Sequence, residues 1–455
     1  MHTRTVSGGR GRAALGAWLL ALFTLATLVL STSQRAQAIP AFARKYGMPC
    51  SACHEAWPKL NNFGQTFRDN GYQLMNDRDA PIWQNPAYWP ITFRITPNWH
   101  RESSNKVGVD TAAGANAVEQ SIASHGFDFS GLDFHTGGTL YKNISFYVLP
   151  SSNQAGAFHF ETVMARLDNL LGSSWLNLKL GKFELDNIIS EKRILTISNN
   201  GGFYRLYHFA PVGDSNAFGA MGDNQLGLEV MGHSKNDRDR YSVAVLSSND
   251  GQPGLPAGNS YSTFLTASHA FEAGKLGVQR VGAYAFLGEA PTYFLTSNGA
   301  TIPGSGLGNK SFNREGIFGL FYVKALDFSV FFQHGSDDAH FGTNTPANQP
   351  LPTGARAPSW NGAFVETHYT ANPQLIFIER SEFVRVATQA LPGTPSNLGN
   401  IDAHTVGVRW YPIMSSRAGF AWHNEFSWVR QRGVAPVSGT DLSSNSIMTG
   451  FDFDF

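Results

Sequence analysis

The stretch MPCSACHEAW, residues 48–57, contains the only two cysteines of this 455-residue chain. Two residues separate Cys50 from Cys53, and His54 follows directly. Cys-x-x-Cys-His is the attachment motif of c-type haem, in which the thiols bond the porphyrin and the histidine ligates the iron. The motif occurs once, so we expect one covalently attached haem c, with Cys50 and Cys53 as attachment points and His54 as axial ligand.

Two other uses of a cysteine pair fit this chain less well. A zinc site would need further ligands of the same type, and there is no second cysteine pair. A thioredoxin-like dithiol would need a βαβ setting, which the surrounding sequence does not show.

The ligand on the opposite face of the iron stays open. Met75 is a candidate second axial ligand, and histidine–methionine ligation would raise the haem potential. Met75 could equally be a packing residue, as most methionines are. His100 competes with it if the haem lies inside the rest of the protein, and an open iron would indicate peroxidase-like chemistry instead.

A short helix is predicted directly after the motif, in NNFGQTFRDNGY. Asn61 or Asn62 can cap its first turn, and Gly71 ends it. Phe63 and Phe67 lie four residues apart, so we expect both rings on one face, packed on the haem or on a small core.

The first 38 residues have the pattern of a secretory signal. Basic residues precede the apolar run 13–30, and Ala36-Gln37-Ala38 is a small-x-small cleavage site. The alternative is a membrane anchor, because the run could nearly span a bilayer. Removing the four leader arginines leaves 30 basic against 34 acidic residues, a balance that argues against nucleic-acid binding.

After residue 90 the sequence alternates between apolar and polar residues with the period of β-strands. In HTVGVRWY, Val406, Val408 and Trp410 share one face, and Thr405 and Arg409 share the other. Such segments recur sixteen times, separated by alternating long and short connections. The predicted strands are 91–101, 126–137, 138–150, 156–170, 174–186, 225–234, 240–250, 259–272, 275–289, 311–325, 326–338, 359–371, 374–387, 400–412, 417–432 and 444–455.

Even strand number, short turns at one end and long loops at the other are typical of outer-membrane barrels. The closing FDFDF places Phe451, Phe453 and Phe455 on one face and Asp452 and Asp454 on the other, which suits lipid on one side and the lumen on the other. We therefore expect a mainly β protein with three parts. These are a signal peptide (1–38), a small α-helical monohaem cytochrome domain (39–88) and an outer-membrane β-barrel of about 16 strands (89–455).

One loop motif, HGSDDAH, could meet a metal ion at the outer end of the barrel. Asp337 and Asp338 offer oxygen ligands, and His334 and His340 offer nitrogen ligands. The alternative is an ordinary solvated loop.

The segment IPAFARKYGMPCSACHEAWPKLNNFGQTFRDNGYQL resembles the start of the fused monohaem cytochrome c–porin family, the outer-membrane iron(II) oxidases of iron-oxidising bacteria. The matching positions are Pro40, Phe42, Ala43, Arg44, Gly47, Cys50, Cys53, His54, Pro58, Leu60, Phe63, Gly64, Phe67, Gly71 and Tyr72. The remainder is similar in architecture rather than in motif.

The resemblance implies an electron-transfer protein that oxidises extracellular Fe(II) at the haem and passes the electron to a periplasmic c-type cytochrome. It supplies no iron-binding residue of the barrel. Two alternatives stay open: a porin with a haem-domain plug, and electron transfer from a donor other than iron. Because the lumen of such a barrel can hold a small plug, we expect the haem domain to enter it.

Overall fold

The computed structural model describes residues 40–56, 59–74, 91–152, 157–186, 198, 200–202, 204–210, 221, 224–247, 260–293, 295–297, 300–302, 304–414 and 418–454. The predicted signal peptide, Met75 and Phe455 lie outside these residues. Within them, no helix is long and apolar enough to cross a bilayer.

The N-terminal segment, defined as residues 40–56 and 59–74, consists of short elements. They are helix α1 (Pro40–Tyr46), helix α2 (Cys50–Cys53), strand β1 (His54–Ala56), strand β2 (Lys59–Leu60) and helix α3 (Asn62–Asp69). Strands β1 and β2 pair with each other, with His54 opposite Leu60. The motif cysteines therefore begin and end one helical turn, and the motif histidine starts the strand after it.

The rest of the described chain forms a closed antiparallel barrel of sixteen strands. The strands are β3 (Ile91–Val109), β4 (Val118–Tyr141), β5 (Ile144–Ser152), β6 (Phe158–Leu167), β7 (Asn177–Phe183), β8 (Gln225–His233), β9 (Asp239–Ser247), β10 (Tyr261–Glu272), β11 (Val278–Ala290), β14 (Lys310–Val323), β15 (Leu326–Asp337), β16 (Ser359–Asn372), β17 (Leu375–Thr388), β18 (Ile401–Met414), β19 (Gly419–Gln431) and β20 (Leu442–Asp454). A small hairpin, β12 (Thr296–Ser297) and β13 (Ala300–Thr301), and helix α4 (Ala339–Gly342) lie in the long connections. Each barrel strand pairs with its neighbour in sequence, and β20 pairs with β3 to close the ring.

The strands have an apolar outer face and an inner face that carries charged and polar residues together with a cluster of buried aromatic side chains. Phe451 and Phe453 are exposed on the outside of β20, whereas Asp452 and Asp454 are buried inside. The carboxylate of Asp452 forms an ion pair with the fully buried Arg409 of β18. The predicted alternation is therefore confirmed in the described residues of HTVGVRWY and FDFDF, because a closed barrel turns one face of every strand inward.

The strand boundaries differ from the prediction most clearly near the first strand pair, and the turn between β6 and β7 (168–176) is longer than predicted. Residues 102–125 were expected to form a long loop, but β3 and β4 extend through most of them and leave only residues 110–117 outside strands. The first short turn lies at Lys142 and Asn143, not at residues 137–138. Alternation in 118–125 is carried by small and polar residues, so the hydrophobic period was too weak to mark the strand.

Candidate functional site in the barrel lumen

The N-terminal segment lies inside the barrel, against its short-turn end. The ring of Tyr72 stacks on Tyr147 of β5, with centroids 5.9 Å apart. Lys59 forms an ion pair with Asp327 of β15. In the order of the closed sheet, β5 and β15 are on opposite walls. A short segment that contacts lumen-facing residues of both walls occupies the lumen between them.

Asn61 fixes the turn that carries the motif. Its side chain donates to the carbonyl of Ala52 at 3.0 Å and accepts from the backbone N–H of Gly64 at 2.8 Å. Its backbone N–H donates to the carbonyl of Cys53 at 2.9 Å. Asn61 therefore caps helix α3, as predicted, and also holds the Cys50–Cys53 turn against it.

Gly64 allows helix α3 to approach the motif. A Cβ at this position would lie 2.1 Å from the carbonyl oxygen of Cys53, so any side chain would push the helix away. Cys53 is half-buried and outside any disulfide, and His54 is buried with 7 % of its surface exposed. Cysteines that begin and end one helical turn, followed by a buried histidine, fit the attachment chemistry of a c-type haem.

An aromatic cluster forms the small core of the segment. Phe42 of α1 packs edge-on against Phe67, with centroids 5.3 Å apart, and stacks on Tyr72 at 5.1 Å. Tyr46 packs edge-on against Phe67 at 5.6 Å. Phe67 therefore packs in a small core, as predicted, whereas Phe63 is 36 % exposed and lies outside this cluster, so its packing on the haem stays a prediction.

Helix α3 is bound to the barrel wall through a buried charge network centred on Asp69. The Asp69 carboxylate lies 3.4 Å from Arg240 of β9 and 3.2 Å from Arg68, and it accepts from Gln65 at 3.1 Å. Arg166 of β6 donates to the backbone carbonyls of Arg68 and Asp69, at 2.8 and 2.6 Å. Burial alone would raise the pKa of Asp69, but the charges of Arg240, Arg68 and Arg166 hold that pKa well below its usual value.

A second set of contacts joins the motif side of the segment to the opposite wall. Lys59 of β2 lies 3.0 Å from Nδ1 of His368, whose Nε2 is 2.8 Å from Glu366. Glu366 also accepts a hydrogen bond from the hydroxyl of Tyr204 at 3.0 Å. The wall residues of β16 therefore connect strand β2 to the long connection between β7 and β8.

Part of that connection lies in the lumen. We define the crossing loop as its described residues 198, 200–202 and 204–210. Tyr204 stacks on Phe364 of β16 with centroids 4.3 Å apart, and the backbone N–H of Leu206 donates to Glu382 of β17 at 3.1 Å. The loop starts from β7 and β8 but is held by β16 and β17 across the barrel, so it narrows the lumen beside the N-terminal segment.

The outer HGSDDAH motif does not form the metal site considered for it. Asp337 is buried and pairs with Arg314 at 2.7 Å, so its charge is compensated within the wall. Asp338 caps helix α4 and lies 2.8 Å from Nδ1 of His340. His334 contacts Asn361 at 3.0 Å. The described residues contain no cluster of three or more His, Cys, Asp or Glu side chains that could hold a metal ion.

The structure describes only one of the two candidate second axial ligands of the haem iron. Met75 is outside the described residues and stays a prediction. His100 lies in β3, where its Nδ1 is 3.0 Å from Asn98 and 3.8 Å from Asp128 of β4. Those contacts hold the ring on the β3–β4 wall.

Sequence reasoning missed the residues that dock the segment. Asp69, Arg166 and Arg240 are far apart in sequence, and nothing in their spacing links them. The available signal was the presence of arginines on the polar faces of predicted strands, since a charge there needs a partner in the lumen.

No protein-family model matches this chain, and no curated protein matches it in sequence. Several solved outer-membrane proteins are similar to this chain in outline, and three of them serve as examples. The anion-selective porin from Comamonas acidovorans has a TM-score of 0.47 and 11% identity, over 80% of this chain and 99% of that one. OmpT, an outer membrane protein of Vibrio cholerae, has a TM-score of 0.46 and 11% identity, over 80% and 99%. OprB of Pseudomonas putida has a TM-score of 0.45 and 9% identity, over 93% and 100%.

Proposed function

We propose that this chain is an outer-membrane electron-transfer protein whose barrel lumen holds a c-type haem on Cys50, Cys53 and His54. It takes single electrons from an extracellular donor, with Fe(II) as the first candidate, and delivers them to a periplasmic c-type cytochrome. The observation that carries the proposal is the position of the only Cys-x-x-Cys-His motif, inside a closed barrel and next to its short-turn end.

The barrel itself supports a membrane location. Its strands form a closed ring with exposed apolar residues outward, and its polar residues face the lumen. In outer-membrane barrels the short turns face the periplasm and the long loops face outward. The N-terminal segment contacts the short-turn end, which supports the proposal that the motif exchanges electrons with a periplasmic partner.

The residues around the motif support haem attachment. When bound, a c-type haem takes up and releases one electron at a time, which matches a one-electron donor such as Fe(II). Asn61 and Gly64 hold the cysteine turn on helix α3, and the buried network of Asp69 holds that helix on the wall. His54 starts β1, which pairs with β2, and Lys59 anchors β2 to the opposite wall. These contacts hold the backbone that carries His54.

A transmembrane assay tests this function. Purified protein is inserted into liposomes that contain ferric cytochrome c, and Fe(II) is added outside under anaerobic conditions. We expect the trapped cytochrome to become reduced with wild-type protein and to stay ferric with the Cys50→Ser/Cys53→Ser double variant. Equal reduction with both proteins would contradict the proposal, because the electrons would then pass without the haem.

A second candidate is a porin whose N-terminal segment acts as a plug. The charged residues on the inner wall favour it, because polar lumens suit water and ions. Liposome swelling in small sugars separates the two functions. Solute flux as large as that of an open porin would favour the porin, whereas slow swelling together with electron transfer supports the first function.

A further inference from the structure

Three neighbouring short turns carry exposed cations. Lys235 and Arg238 lie in the β8–β9 turn, Lys275 in the β10–β11 turn and Lys324 in the β14–β15 turn. Because β9 pairs with β10, and β11 pairs with β14, these turns follow one another around the rim. We call these four residues the cationic arc.

The arc keeps a positive charge after its local ion pairs are counted. Arg238 pairs with Glu272 at 2.5 Å, so that charge is compensated. In the described part of the chain, no carboxylate lies within ion-pair distance of the three lysines. One further exposed carboxylate, Asp239, is 2.7 Å from His269. Three lysines therefore stand against one carboxylate on this side of the mouth.

The backbone of one arc turn gives no reason for a lysine. Lys324 occupies the first position of the two-residue turn 324–325 with φ 57°. That left-handed conformation favours glycine, asparagine or aspartate, and other residues adopt it at a cost. The turn geometry therefore does not select lysine at this position.

The arc lies beside the motif. Thr66 of helix α3 donates to Asp237 of the β8–β9 turn at 2.8 Å. Lys59 pairs with Asp327, which follows the β14–β15 turn by two residues. Because β2 carries Lys59 and pairs with β1 at His54, the motif is anchored on the side of the mouth that the arc borders.

We propose that the cationic arc docks a soluble electron-acceptor protein with an acidic face; this rests on the proposed function. Opposite charges on two docking faces steer encounter and orient the redox centres. Anionic lipid is a less suitable occupant because a membrane surrounds the whole rim. The cations of the arc, in contrast, are grouped. The turns on either side of it, β6–β7 (168–176) and β16–β17 (373–374), contain neither lysine nor arginine.

Lys142 provides a matched control outside the arc. It also occupies a two-residue turn with positive φ, 42°, and is exposed. Its ammonium lies 5.3 Å from the ring centroid of Tyr141, which is exposed on the outside of β4. This position suits the lipid interface, where aromatic and cationic side chains collect.

The test measures binding without requiring electron transfer. Haem-loaded, full-length protein is placed in nanodiscs of zwitterionic lipid. The soluble probes are mitochondrial cytochrome c, which is basic, and its fully succinylated form, which is acidic. Association is followed by biolayer interferometry at several salt concentrations.

We expect the wild-type protein to bind the acidic probe faster at low salt and to bind the basic probe weakly. The K235E/K275E/K324E variant should lose about tenfold or more of the association rate at low salt, and K142E should retain it. The proposal is overturned if the triple variant associates with the acidic probe as fast as wild type does, or if K142E loses as much of the association rate as the triple variant. It is also overturned if the triple variant loses binding to phosphatidylglycerol vesicles while probe binding is unchanged. Loss of Fe(II)-driven haem reduction with probe binding intact would reject the proposed function alone.

Discussion

Replacing Asp69 by asparagine should loosen the N-terminal segment from the barrel wall. Asp69 is 3 % exposed and its carboxylate faces Arg240 and Arg68, while Arg166 lies against the carbonyl of the same residue. Removing one partner of a buried ion pair costs about 3–5 kcal/mol, because the remaining charge loses its compensation. Since each 1.4 kcal/mol is a factor of ten, the ratio of docked to undocked segment should fall about 100-fold or more.

Hydrogen–deuterium exchange of peptides covering helix α3 measures this ratio in the intact protein. The Asp69→Asn variant should exchange faster across residues 62–70, while the barrel strands keep wild-type protection. Glu184→Gln is the matched control, because Glu184 lies 3.9 Å from Arg68 in a partly exposed pair that contributes at most about 1 kcal/mol. Wild-type exchange in the Asp69→Asn variant would refute the idea that this network holds the segment in place.

Three further predictions concern the same segment. The depressed pKa of Asp69 means that its contribution is complete above the unfolded value of about 3.9 and is lost as pH falls through the folded pKa. The protection factors of helix α3, corrected for the pH dependence of intrinsic exchange, should therefore be constant from about pH 5 to 8 and fall below about pH 4. Gly71→Ala should speed the same exchange, because Gly71 has φ 73° and an added Cβ would lie 2.5 Å from the carboxylate oxygen of Asp168. Gly47→Ala is the control: Gly47 has φ 63° and nothing within 4 Å, so this variant has only the backbone cost of about 1–2 kcal/mol. Met75→Ala should lower the haem potential and change the visible spectrum, whereas His100→Ala should leave both unchanged; the reverse result would assign the second ligand to His100.

Much of the barrel could be predicted from the sequence because its signal is local. Alternation in a segment such as FDFDF determines which face is apolar, and the closed ring turns Asp452 and Asp454 inward as expected. Strands β3 and β4 were predicted too short. Their parts within residues 102–125 consist mainly of small and polar residues, so the hydrophobic alternation is too weak there to indicate a strand. The cap of helix α3 at Asn61 was also predictable, because capping depends on neighbours in sequence.

The docking contacts could not be predicted because they depend on distant pairs. Nothing near Lys59 in the sequence indicates Asp327, and nothing near Asp69 indicates Arg240. The aspartates of the HGSDDAH motif look like metal ligands in sequence, but Arg314 on the neighbouring strand compensates Asp337. Residue type alone does not distinguish a carboxylate that binds a cation from one that is already paired.

The most direct test of the central claim is an anaerobic Fe(II) titration of the purified, detergent-solubilised protein, followed at the haem absorption bands. The account predicts one covalently bound haem per chain, reduced by added Fe(II) in the wild-type protein and absent from the Cys53→Ala variant. A protein that carries no covalent haem, or a haem that stays ferric with excess Fe(II), would contradict it.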